Sequence, residues 1–383
     1  MPRAAEGLAP RWLVAAVSGR MLAASAARGG HRVVVLDCFA DRDTLDAADA
    51  TRAVGTAGSP RLDRRALLAA ARELEPAGGW AGVVCGSGFE NRLGLLARLS
   101  AGRRLAGNSP EVVALVKDPA RFFPLLARIG VRHPEVSLLP PRHPAGWLVK
   151  QGGGAGGTHV RPATGQGPRR GRYFQRFEPG RTLSVLFLAD GSRGFRLGIN
   201  EQWTANHPAL PFLYGGAVGG VHLPAPVLAG LDQLLHRLVA ATGIVGLNGL
   251  DFLLEGAEPS ILELNPRPTA TLELHDPAWD TGLFDRHLRA CRGELPAARP
   301  AAASARAAAI VLAPAAGVID AAFEFPAWCR DLPMPGTRFA PRDPVCTVHA
   351  EGPSPDEARR RVLDRQRAME LELGTLAARP VSP

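Results

Sequence analysis

The first 107 residues alternate between short apolar runs and stretches with helical periodicity. The runs "WLVAAV", "RVVVLD" and "AGVVCGSG" are nearly continuous in apolar residues, which is typical of strands buried on both faces of a parallel sheet. Helical patterns such as "MLAASAARGG" and "RRALLAAAREL" separate these runs. We therefore expect an α/β chain whose N-terminal domain, residues 1–107, is a doubly wound parallel sheet covered by helices.

Two turns follow strands of this predicted sheet. The turn "SGR" at 18–20 follows the first strand, and "GSGFE" at 86–90 follows the run "VVC". Ligands bind at the carboxyl ends of the strands in such sheets, so both turns are candidates for a site. The alternative is that both are ordinary tight turns.

The pattern changes after residue 107. Ser109 and Pro110 favour the start of a helix there. Beyond it, apolar segments come in pairs joined by turns, such as "TLSVLFLADG" with "GFRLGINEQW", which indicates antiparallel strands. An alanine- and proline-rich connection from about 295 to 306 leads to a segment that ends in the helical "SPDEARRRVLDRQRAMELEL". The sequence thus predicts a second domain over 108–295 and a C-terminal piece over 307–383.

Charge and cysteine content argue against several classes of protein. The formal charge is +9, but the arginines are scattered among acidic residues without basic blocks interleaved with aromatics, so no nucleic-acid partner is expected. The five cysteines lie far apart without metal-ligand spacing, which favours reduced thiols and a cytoplasmic protein. The apolar runs "RWLVAAVSGR" and "AAAIVLAPAAGVI" are too short or interrupted to span a bilayer, so no membrane partner is expected.

Only two of the 45 basic residues are lysines, Lys117 and Lys150. An ammonium group is compact and a guanidinium is broad and planar, so a narrow phosphate site can require lysine. Lys150 ends an apolar strand and precedes "QGGGAGG", where glycines leave backbone N–H groups free to face phosphate oxygens. The alternative is chance survival of two surface lysines. The glycine run matches neither a Walker loop nor a dinucleotide fingerprint.

The segment "GLDFLLEGAEPSILELNPRP" predicts a metal site. Two apolar strands joined by "EGAEP" would lie antiparallel, so that Glu263 and Asn265 share one face and Asp251 meets them across the pair. A carboxylate buried in such apolar surroundings is costly unless it is paired, and Mg²⁺ takes oxygen ligands from one or two carboxylates plus substrate phosphates. The alternative is that these carboxylates face water at the edges of the strands.

Together these motifs resemble the ATP-grasp superfamily. The resemblance rests on the two lysines, the glycine loop, the strand "YFQRFEPGRTLSV" and the pair "LDFLL" with "LELNPRP", in the order that the family shows. The segments "VSGR", "GSGFE" and "PVCTVHAEG" further resemble the predicted ATP-dependent carboligase group related to biotin carboxylase, which is associated with methanofuran- and tetrahydromethanopterin-type one-carbon metabolism. The resemblance implies a two-subdomain grasp, with a lid over about 108–177 and a metal-binding subdomain over about 178–295, and a small β-rich C-terminal cap.

The same resemblance implies ATP as the nucleotide, with Mg²⁺ or alternatively Mn²⁺ at the metal site. The residues implied in nucleotide binding are Lys117, Lys150, Gly153, Gly154, Gly156, Gly157, Gln175, Arg176, Phe177 and Glu178. Arg267 and Lys150 are implied as the catalytic residues that stabilise the transferred phosphoryl group, and Asp251, Glu263 and Asn265 match the metal positions. Where relatives place a ribose-binding glutamate, this chain has Arg181 and Thr182, so Glu178 is the substitute that we consider for the ribose.

Residues where the N-terminal domain is expected to face the grasp are candidates for substrate binding. These are Ser18, Arg20, Glu90, Asn200, Gln202 and Tyr214. Arg20 is suited to bind a substrate carboxylate through two hydrogen bonds. His159, just after the glycine loop, is in reach of phosphate or substrate, but a polar strand residue is the simpler interpretation. For the other candidates the alternative is that they are solvated loop residues.

The resemblance implies an ATP-dependent carboxylate–amine, or carboxylate–thiol, ligase that acts through an acyl phosphate. Its partners would be small carboxylate and amine substrates, for example glutamate and a cofactor precursor, and a homodimer is compatible with the family. No nucleophilic side chain is needed, which fits a sequence without a serine elbow. Two alternatives stay open: biotin-carboxylase-like carboxylation through carboxyphosphate, and a non-catalytic ATP-binding regulatory or assembly subunit.

Overall fold

A computed structural model describes residues 10–56, 59–301 and 303–377 of the 383-residue chain. Four parallel strands form the N-terminal sheet in the order β3-β2-β1-β6. The elements of this region are β1 (Arg11–Ala15), α1 (Arg20–Arg28), β2 (Arg32–Asp37), α2 (Arg42–Ala47), β3 (Ala50–Ala53), β4 (Gly55–Thr56), β5 (Ser59–Leu62), α3 (Arg64–Glu73), β6 (Gly82–Cys85) and α4 (Leu93–Ser100). The parallel sheet predicted from the apolar runs is confirmed.

The segment after residue 107 opens with two helices and a small sheet of order β7-β10-β8-β9. Its elements are α5 (Pro110–Lys117), α6 (Pro119–Arg128), β7 (Val136–Ser137), β8 (Trp147–Gln151), β9 (Arg161–Pro162) and β10 (Arg172–Arg176). Ser109 caps α5, since its hydroxyl accepts a hydrogen bond from Val112 N at 3.4 Å. The cap fixes where α5 begins, and Lys117 is therefore the last residue of that helix.

An eight-stranded antiparallel sheet forms the centre of the molecule, in the order β15-β14-β11-β12-β13-β16-β20-β18. Its first five strands and their helices are β11 (Arg181–Asp190), β12 (Gly194–Thr204), β13 (Tyr214–Gly219), α7 (Ala225–Thr242), β14 (Val245–Glu255), β15 (Glu258–Asn265), α8 (Leu272–His275), a 3-10 turn (Asp276–Ala278) and α9 (Gly282–Ala290). One face packs on α5, α6 and α7 in a core that includes Phe122, Phe187 and Leu235. The other face packs against α9 and the N-terminal domain through Leu186 and Phe284.

The C-terminal strands continue this sheet. The elements are β16 (Ala305–Leu312), β17 (Gly317–Val318), β18 (Cys329–Arg330), β19 (Arg338–Phe339), β20 (Pro344–Gly352) and α10 (Pro355–Ala377). Because β16 pairs with β13, the C-terminal piece is bonded into the sheet of the preceding domain. Cys346 is buried in the core of this piece with Val348 and Met369.

The observed architecture is the mixed α/β arrangement that the sequence predicted, with a parallel N-terminal sheet and antiparallel sheets after it. One local prediction was wrong, because His159 lies in a turn and the strand after the glycine loop is only Arg161–Pro162. The glycine-rich segment continues as turns as far as residue 159, which leaves two residues to pair with β8. Among the helices of the described residues, none is long and apolar enough to cross a membrane.

Candidate functional site

The strand pair β14–β15 brings together the residues predicted to bind metal. Asp251 lies directly opposite Glu263 in the register, and Asn265 follows two residues further on the same face. Lys117 reaches this group from the end of α5. Its Nζ donates to Glu263 Oε1 and, at 3.0 Å, to Asn265 Oδ1, while its own exposure is 8%. Four residues that are up to 148 positions apart thus form one polar cluster, in which Lys117 and Asn265 are buried and Asp251 and Glu263 are half-buried.

The carboxylates of this cluster differ in their electrostatics. Burial and the neighbouring Glu263 raise the pKa of Asp251 to about 6, against the hydrogen bonds that Asp251 accepts. For Glu263, burial works in the same direction, but the Lys117 ammonium outweighs it and lowers the pKa of Glu263. Glu263 therefore lies as a carboxylate beside the Lys117 ammonium. Asp251 instead accepts hydrogen bonds from the side-chain amides of Gln202 and Asn265.

These residues fit a magnesium ion that binds together with phosphates. Two carboxylates and an amide oxygen are the hard donors that Mg²⁺ takes when substrate phosphates and water supply the rest. Within residues 10–56, 59–301 and 303–377, no three His, Cys, Asp or Glu side chains converge as a metal site. An ion at this place would therefore need ligands from outside the described residues, such as phosphates and water.

Lys150 and Gln175 form the second buried pair of the site. Lys150 Nζ donates to Gln175 Oε1 at 2.5 Å across the paired strands β8 and β10. Burial lowers the pKa of Lys150, although Glu263 and Asp251 act to raise it. Gln175 Nε2 is buried and has no hydrogen-bond partner among the described residues. A buried amide donor without a partner is costly, so this group marks a place where a polar ligand fits.

The glycine loop lies against two other parts of the chain. A Cβ atom added to Gly157 would come within 1.7 Å of the Phe212 carbonyl oxygen, and one added to Gly153 within 3.0 Å of the Glu90 carbonyl oxygen. Both glycines have positive φ, 70° and 73°, which other residues rarely adopt. Gly156 accepts a hydrogen bond from Tyr214 N at 3.0 Å. The loop is thus closed against the N-terminal domain on one side and the segment before β13 on the other.

His159 lies at the foot of this loop. Its ring occupies the space beside Gly154, where a Cβ would come within 2.1 Å of it. Burial lowers the pKa of His159, although Glu263 acts to raise it. The ring nitrogen Nδ1 is buried without a partner in the described part of the chain. His159 therefore borders the same cleft as Lys117 and Glu263, as a pocket lined by all three shows.

Arg267 and Glu90 form an ion pair between the grasp and the N-terminal domain. Arg267 Nε donates to Glu90 Oε1, and Glu90 Oε2 accepts from the backbone N–H groups of Gly88 at 2.8 Å and Phe89 at 3.0 Å. Burial opposes ionisation, yet Arg267 and Lys117 lower the pKa of Glu90 to about 2. Glu90 is therefore a fixed carboxylate that orients the guanidinium. The pair borders a small cavity lined also by Cys85, whose thiol pKa burial and Glu90 raise to about 12.

The other predicted substrate residues lie in two places. Gln202 and Tyr214 lie near Asp251: Gln202 Nε2 donates to Asp251 Oδ1 at 2.9 Å, and burial, followed by Asp251 and Glu273, raises the pKa of Tyr214. Asn200 is wholly buried, where its Oδ1 contacts His275 Nε2 at 2.7 Å. Its amide already has protein partners, so its role in substrate binding stays a prediction.

Ser18 and Arg20 belong to a junction of the N-terminal domain, the grasp and the C-terminal piece. Both Arg20 Nη atoms donate to the Glu273 carboxylate, and Arg20 Nε donates to Asp331 Oδ1 at 2.9 Å. Ser18 Oγ also donates to Asp331 Oδ1, at 3.2 Å. The two-fold carboxylate contact predicted for Arg20 is thus made with a protein carboxylate. Sequence reasoning missed Glu273 and Asp331, and no motif in "TLELHD" or "CRDLP" marks them.

The remaining residues implied in nucleotide and ribose binding lie at the end of β10 and just after it. Gln175 is buried, Arg176 lies over the Trp147 ring, and Phe177 is exposed to 54%. Glu178 Oε2 accepts from Ser260 Oγ at 2.8 Å. Arg181 pairs with Glu201 at 2.6 Å, and Thr182 beside it is exposed. The ribose contact proposed for Glu178 stays a prediction.

Comparison with known proteins is consistent with this geometry. Residues 119–271 match a family model described as an ATP-grasp domain. The chain is 25% identical over 243 residues to the carbamoyl phosphate synthase large chain of Rubrobacter xylanophilus, a match that covers 56% of this chain and 22% of that protein. The chain therefore spans about a fifth of the length of this curated relative.

Two solved structures resemble the whole fold. The biotin carboxylase domain dimer of Hydrogenobacter thermophilus 2-oxoglutarate carboxylase, in complex with MgADP, ADP and bicarbonate, superposes with a TM-score of 0.70 at 13% identity over 93% of this chain and 88% of that one. The L-amino acid ligase of Bacillus licheniformis superposes with a TM-score of 0.66 at 14% identity over 96% and 97%. At such identities the likeness shows the fold alone. The chain thus has the ATP-grasp fold, with the ATP-grasp domain at residues 119–271, and these findings support its place in the ATP-grasp superfamily.

Proposed function

We propose that this protein is an ATP-dependent ligase that activates a carboxylate as an acyl phosphate and joins it to an amine. A thiol is the other nucleophile compatible with this chemistry. The observation that carries the proposal is the convergence of Lys117, Glu263 and Asn265 with the Arg267–Glu90 pair. Both groups bring cations together with oxygen acceptors, and phosphoryl transfer depends on such charge neutralisation.

Each side chain has a role in the proposed reaction. A substrate carboxylate oxygen attacks the γ-phosphorus of ATP, the bond to the β-phosphate oxygen breaks, and ADP leaves. Lys150, Lys117 and the N–H groups of the glycine loop hold the phosphates. Asp251, Glu263 and Asn265 would hold Mg²⁺, which would supply charge neutralisation there. Arg267, oriented by Glu90, stabilises the transferred phosphoryl group.

The second half-reaction completes the bond. The amine nitrogen attacks the acyl carbon, inorganic phosphate leaves with the bonding electron pair, and the amine loses a proton. No protein nucleophile takes part. Cys85 is the cysteine that borders the Arg267–Glu90 cavity, and its raised thiol pKa keeps it protonated at neutral pH.

We further propose the class of substrates. An amino acid such as glutamate would be one partner and a small cofactor precursor of methanofuran-type one-carbon metabolism the other. This rests on the resemblance of "VSGR", "GSGFE" and "PVCTVHAEG" to the carboligase group, and the likeness in fold to an L-amino acid ligase is compatible with an amino-acid substrate. A homodimer is the assembly that we expect, since the similar biotin carboxylase domain was solved as a dimer.

A second candidate is carboxylation through carboxyphosphate. The likeness to a biotin carboxylase domain solved with MgADP and bicarbonate favours it. In this reaction bicarbonate takes the place of the substrate carboxylate. It predicts bicarbonate-dependent ATP hydrolysis without any added amine, which separates the two candidates in one assay.

The test is phosphate release from ATP and Mg²⁺ across a panel of amino acids and carboxylates, with and without bicarbonate. For the wild type we expect release that depends on an amino acid. Lys150→Arg should reduce it on the order of 100-fold, because a broad, planar guanidinium replaces a compact ammonium at a buried position beside Gln175. The exchange of an exposed arginine, Arg170→Lys, is the control and should change nothing.

Three outcomes would contradict this view. Full activity of Lys150→Arg would remove Lys150 from the phosphate site. Release driven by bicarbonate alone would favour the carboxylase candidate. Nucleotide binding without release for any acceptor in the panel would favour a non-catalytic ATP-binding subunit.

A further inference from the structure

The two lysines of this chain differ in what balances their charge. Both are buried, each 8% exposed, but only Lys117 contacts a carboxylate, that of Glu263. Lys150 donates to Gln175 Oε1 at 2.5 Å, and an amide oxygen carries no full charge. Among the described residues, Lys150 takes part in no ion pair. Lys150 is therefore a buried cation without a hydrogen-bonded counter-charge.

The segment around Lys150 supplies no such counter-charge. Residues 136–177, which form β7, β8, β9, β10 and their loops, contain one lysine, six arginines and no aspartate or glutamate. Burial lowers the pKa of Lys150 against the action of Glu263 and Asp251, which lie on β15 and β14. A buried ammonium that is not paired costs folding free energy, and an anion bound beside it would offset that cost.

Gln175 has its two amide ends in different surroundings. A lysine ammonium donates hydrogen bonds and accepts none, so it binds the oxygen of the amide, and the nitrogen Nε2 lies at the other end. Gln175 is wholly buried, and its Nε2 has no partner among the described residues. The pair therefore has unused donors on both the ammonium and the amide, and it lacks an acceptor for them.

The strand register brings both groups to one face of the small sheet. Lys150 lies opposite Tyr173 in the β8–β10 pair, and Gln175 follows Tyr173 by two residues, so the three side chains share a face. After Lys150 and Gln151 the chain enters the glycine loop. The unused donors therefore lie where β8 leads into the loop that we propose to hold the phosphates.

We propose that Gln175 is a positioning residue of the nucleotide site, which holds the Lys150 ammonium in place without neutralising it. The amide thereby leaves the full charge of Lys150 for a ligand and adds its own Nε2 donor. The ligand class that fits is one with several negative charges, such as the phosphates of a nucleotide. The proposal rests on the proposed function, because it takes that nucleotide as the ligand.

A comparison with glutamate shows why an amide matters at this position. A glutamate has nearly the same shape and would also accept from Lys150, but its negative charge would pair with the ammonium. A phosphate would then have to compete with that carboxylate, and the two anions would repel each other at a buried position where charges are weakly screened. Glutamine orients the ammonium without this competition.

The experiment measures ADP binding to the full chain by calorimetry at a fixed Mg²⁺ concentration. Gln175→Glu should weaken ADP binding on the order of 100-fold, because it neutralises Lys150 and removes the Nε2 donor. Gln175→Met, which has a similar volume and no charge, loses the amide contacts but leaves the ammonium unneutralised. It should weaken ADP binding about 10-fold.

The order of the two variants separates this role from a purely structural one. Glutamate keeps the hydrogen bond to Lys150 and methionine does not, so a residue that only supports the fold would tolerate glutamate better. Thermal unfolding of the nucleotide-free proteins should follow that structural order, with the midpoint of Gln175→Glu at or above that of the wild type and the midpoint of Gln175→Met below it. ADP affinity should follow the opposite order.

Gln166→Glu is the matched control. It makes the same change of charge in the loop before β10, where the side chain of Gln166 forms hydrogen bonds with Thr164. A charge in that loop is screened by solvent, so ADP affinity should stay within about twofold of the wild type.

Two results would overturn the proposal while the wild type binds ADP. One is ADP binding to Gln175→Glu that is as tight as binding to Gln175→Met, or tighter. The other is wild-type ADP affinity in Gln175→Met, which decides the question alone if Gln175→Glu does not fold. Absence of ADP binding by the wild type would instead overturn the proposed function, and the role of Gln175 with it.

Discussion

Two charged clusters of this molecule are similar in composition. They differ in whether polar groups without a hydrogen-bond partner remain beside them. At the proposed phosphate end, Lys117 contacts Glu263 and Asn265 beside a cleft, and the amide nitrogen of Gln175 has no partner among the described residues. At the domain junction, Arg20 is 3% exposed, with Glu273 and Asp331 on its guanidinium. The first cluster has groups left for a ligand, whereas in the second the protein itself supplies the counter-charges of the arginine. A buried charge therefore indicates a ligand site only where polar groups without a protein partner remain beside it.

The largest expected effect is a loss of folding stability at the domain junction. Arg20→Leu leaves the half-buried carboxylates of Glu273 and Asp331 without their cation, which should lower the free energy of unfolding by about 3 kcal/mol, the lower end for a buried pair. Urea unfolding measures it. Arg289→Leu, which breaks an ion pair whose arginine is 45% exposed, is the matched control and should cost about 0.5 kcal/mol. Unchanged stability of Arg20→Leu with lost activity would return Arg20 to the substrate site.

A smaller effect should appear at the phosphate end, in activity. Gly157→Ala brings a Cβ against the Phe212 carbonyl oxygen, so the glycine loop must shift by an ångström or more to accommodate it. We expect a loss on the order of 100-fold in kcat/KM for phosphate release. Gly156→Ala is the matched control, because Gly156 has a similar φ of 63° but open space around its Cβ position. Equal losses in both variants would mean that backbone strain, and not contact with Phe212, is responsible.

The smallest expected effect, taken per pH unit, is the pH dependence of the junction. Burial, then Asp331, Asp37 and Asp43, raise the pKa of Asp41 to about 8. Between the unfolded pKa near 4 and the folded pKa of about 8, the folded state holds one proton more, so stability falls as pH rises through this window. The slope contributed is at most about 1.4 kcal/mol per pH unit.

Asp41→Asn should remove this contribution, so that its free energy of unfolding falls less steeply between pH 5 and pH 8. Denaturant unfolding at several pH values measures the slope, with the exposed Asp46→Asn as the control. A wild-type slope in Asp41→Asn would show that another group at the junction titrates there. Glu90 at the phosphate end has a pKa of about 2 and should add nothing to this window.

Much of the fold was predictable because it rests on local patterns. Continuous apolar runs predicted the parallel strands β1, β2 and β6, and the turn between "TLSVLFLADG" and "GFRLGINEQW" predicted the β11–β12 hairpin. The turn at His159 was not predictable in this way, since glycines suit several loop paths equally. The pairing of β16 with β13 was also beyond sequence reasoning, because it joins residues about 90 positions apart.

The candidate site shows the same difference between local motifs, which were predictable, and contacts between distant residues, which were not. The two lysines, the glycine loop and the spacing of Glu263 and Asn265 predicted a phosphate and metal site from residue type alone. The partners of these residues were not identifiable. Gln202 approaches Asp251 across a strand, and Glu90 meets Arg267 from another domain at a separation of 177 residues.

By itself, the sequence determined the type of fold and the kind of chemistry on offer, because strand periodicity, helix caps and rare lysines are properties of neighbouring residues. Tertiary structure alone decided which charges are left for a ligand. Arg20 was suited to a substrate carboxylate until the fold placed Glu273 on it, whereas Gln175 kept a buried donor without a partner among the described residues. The physical reason is that a hydrogen bond is satisfied by whatever comes within about 3 Å, and such proximity between distant segments is set by packing.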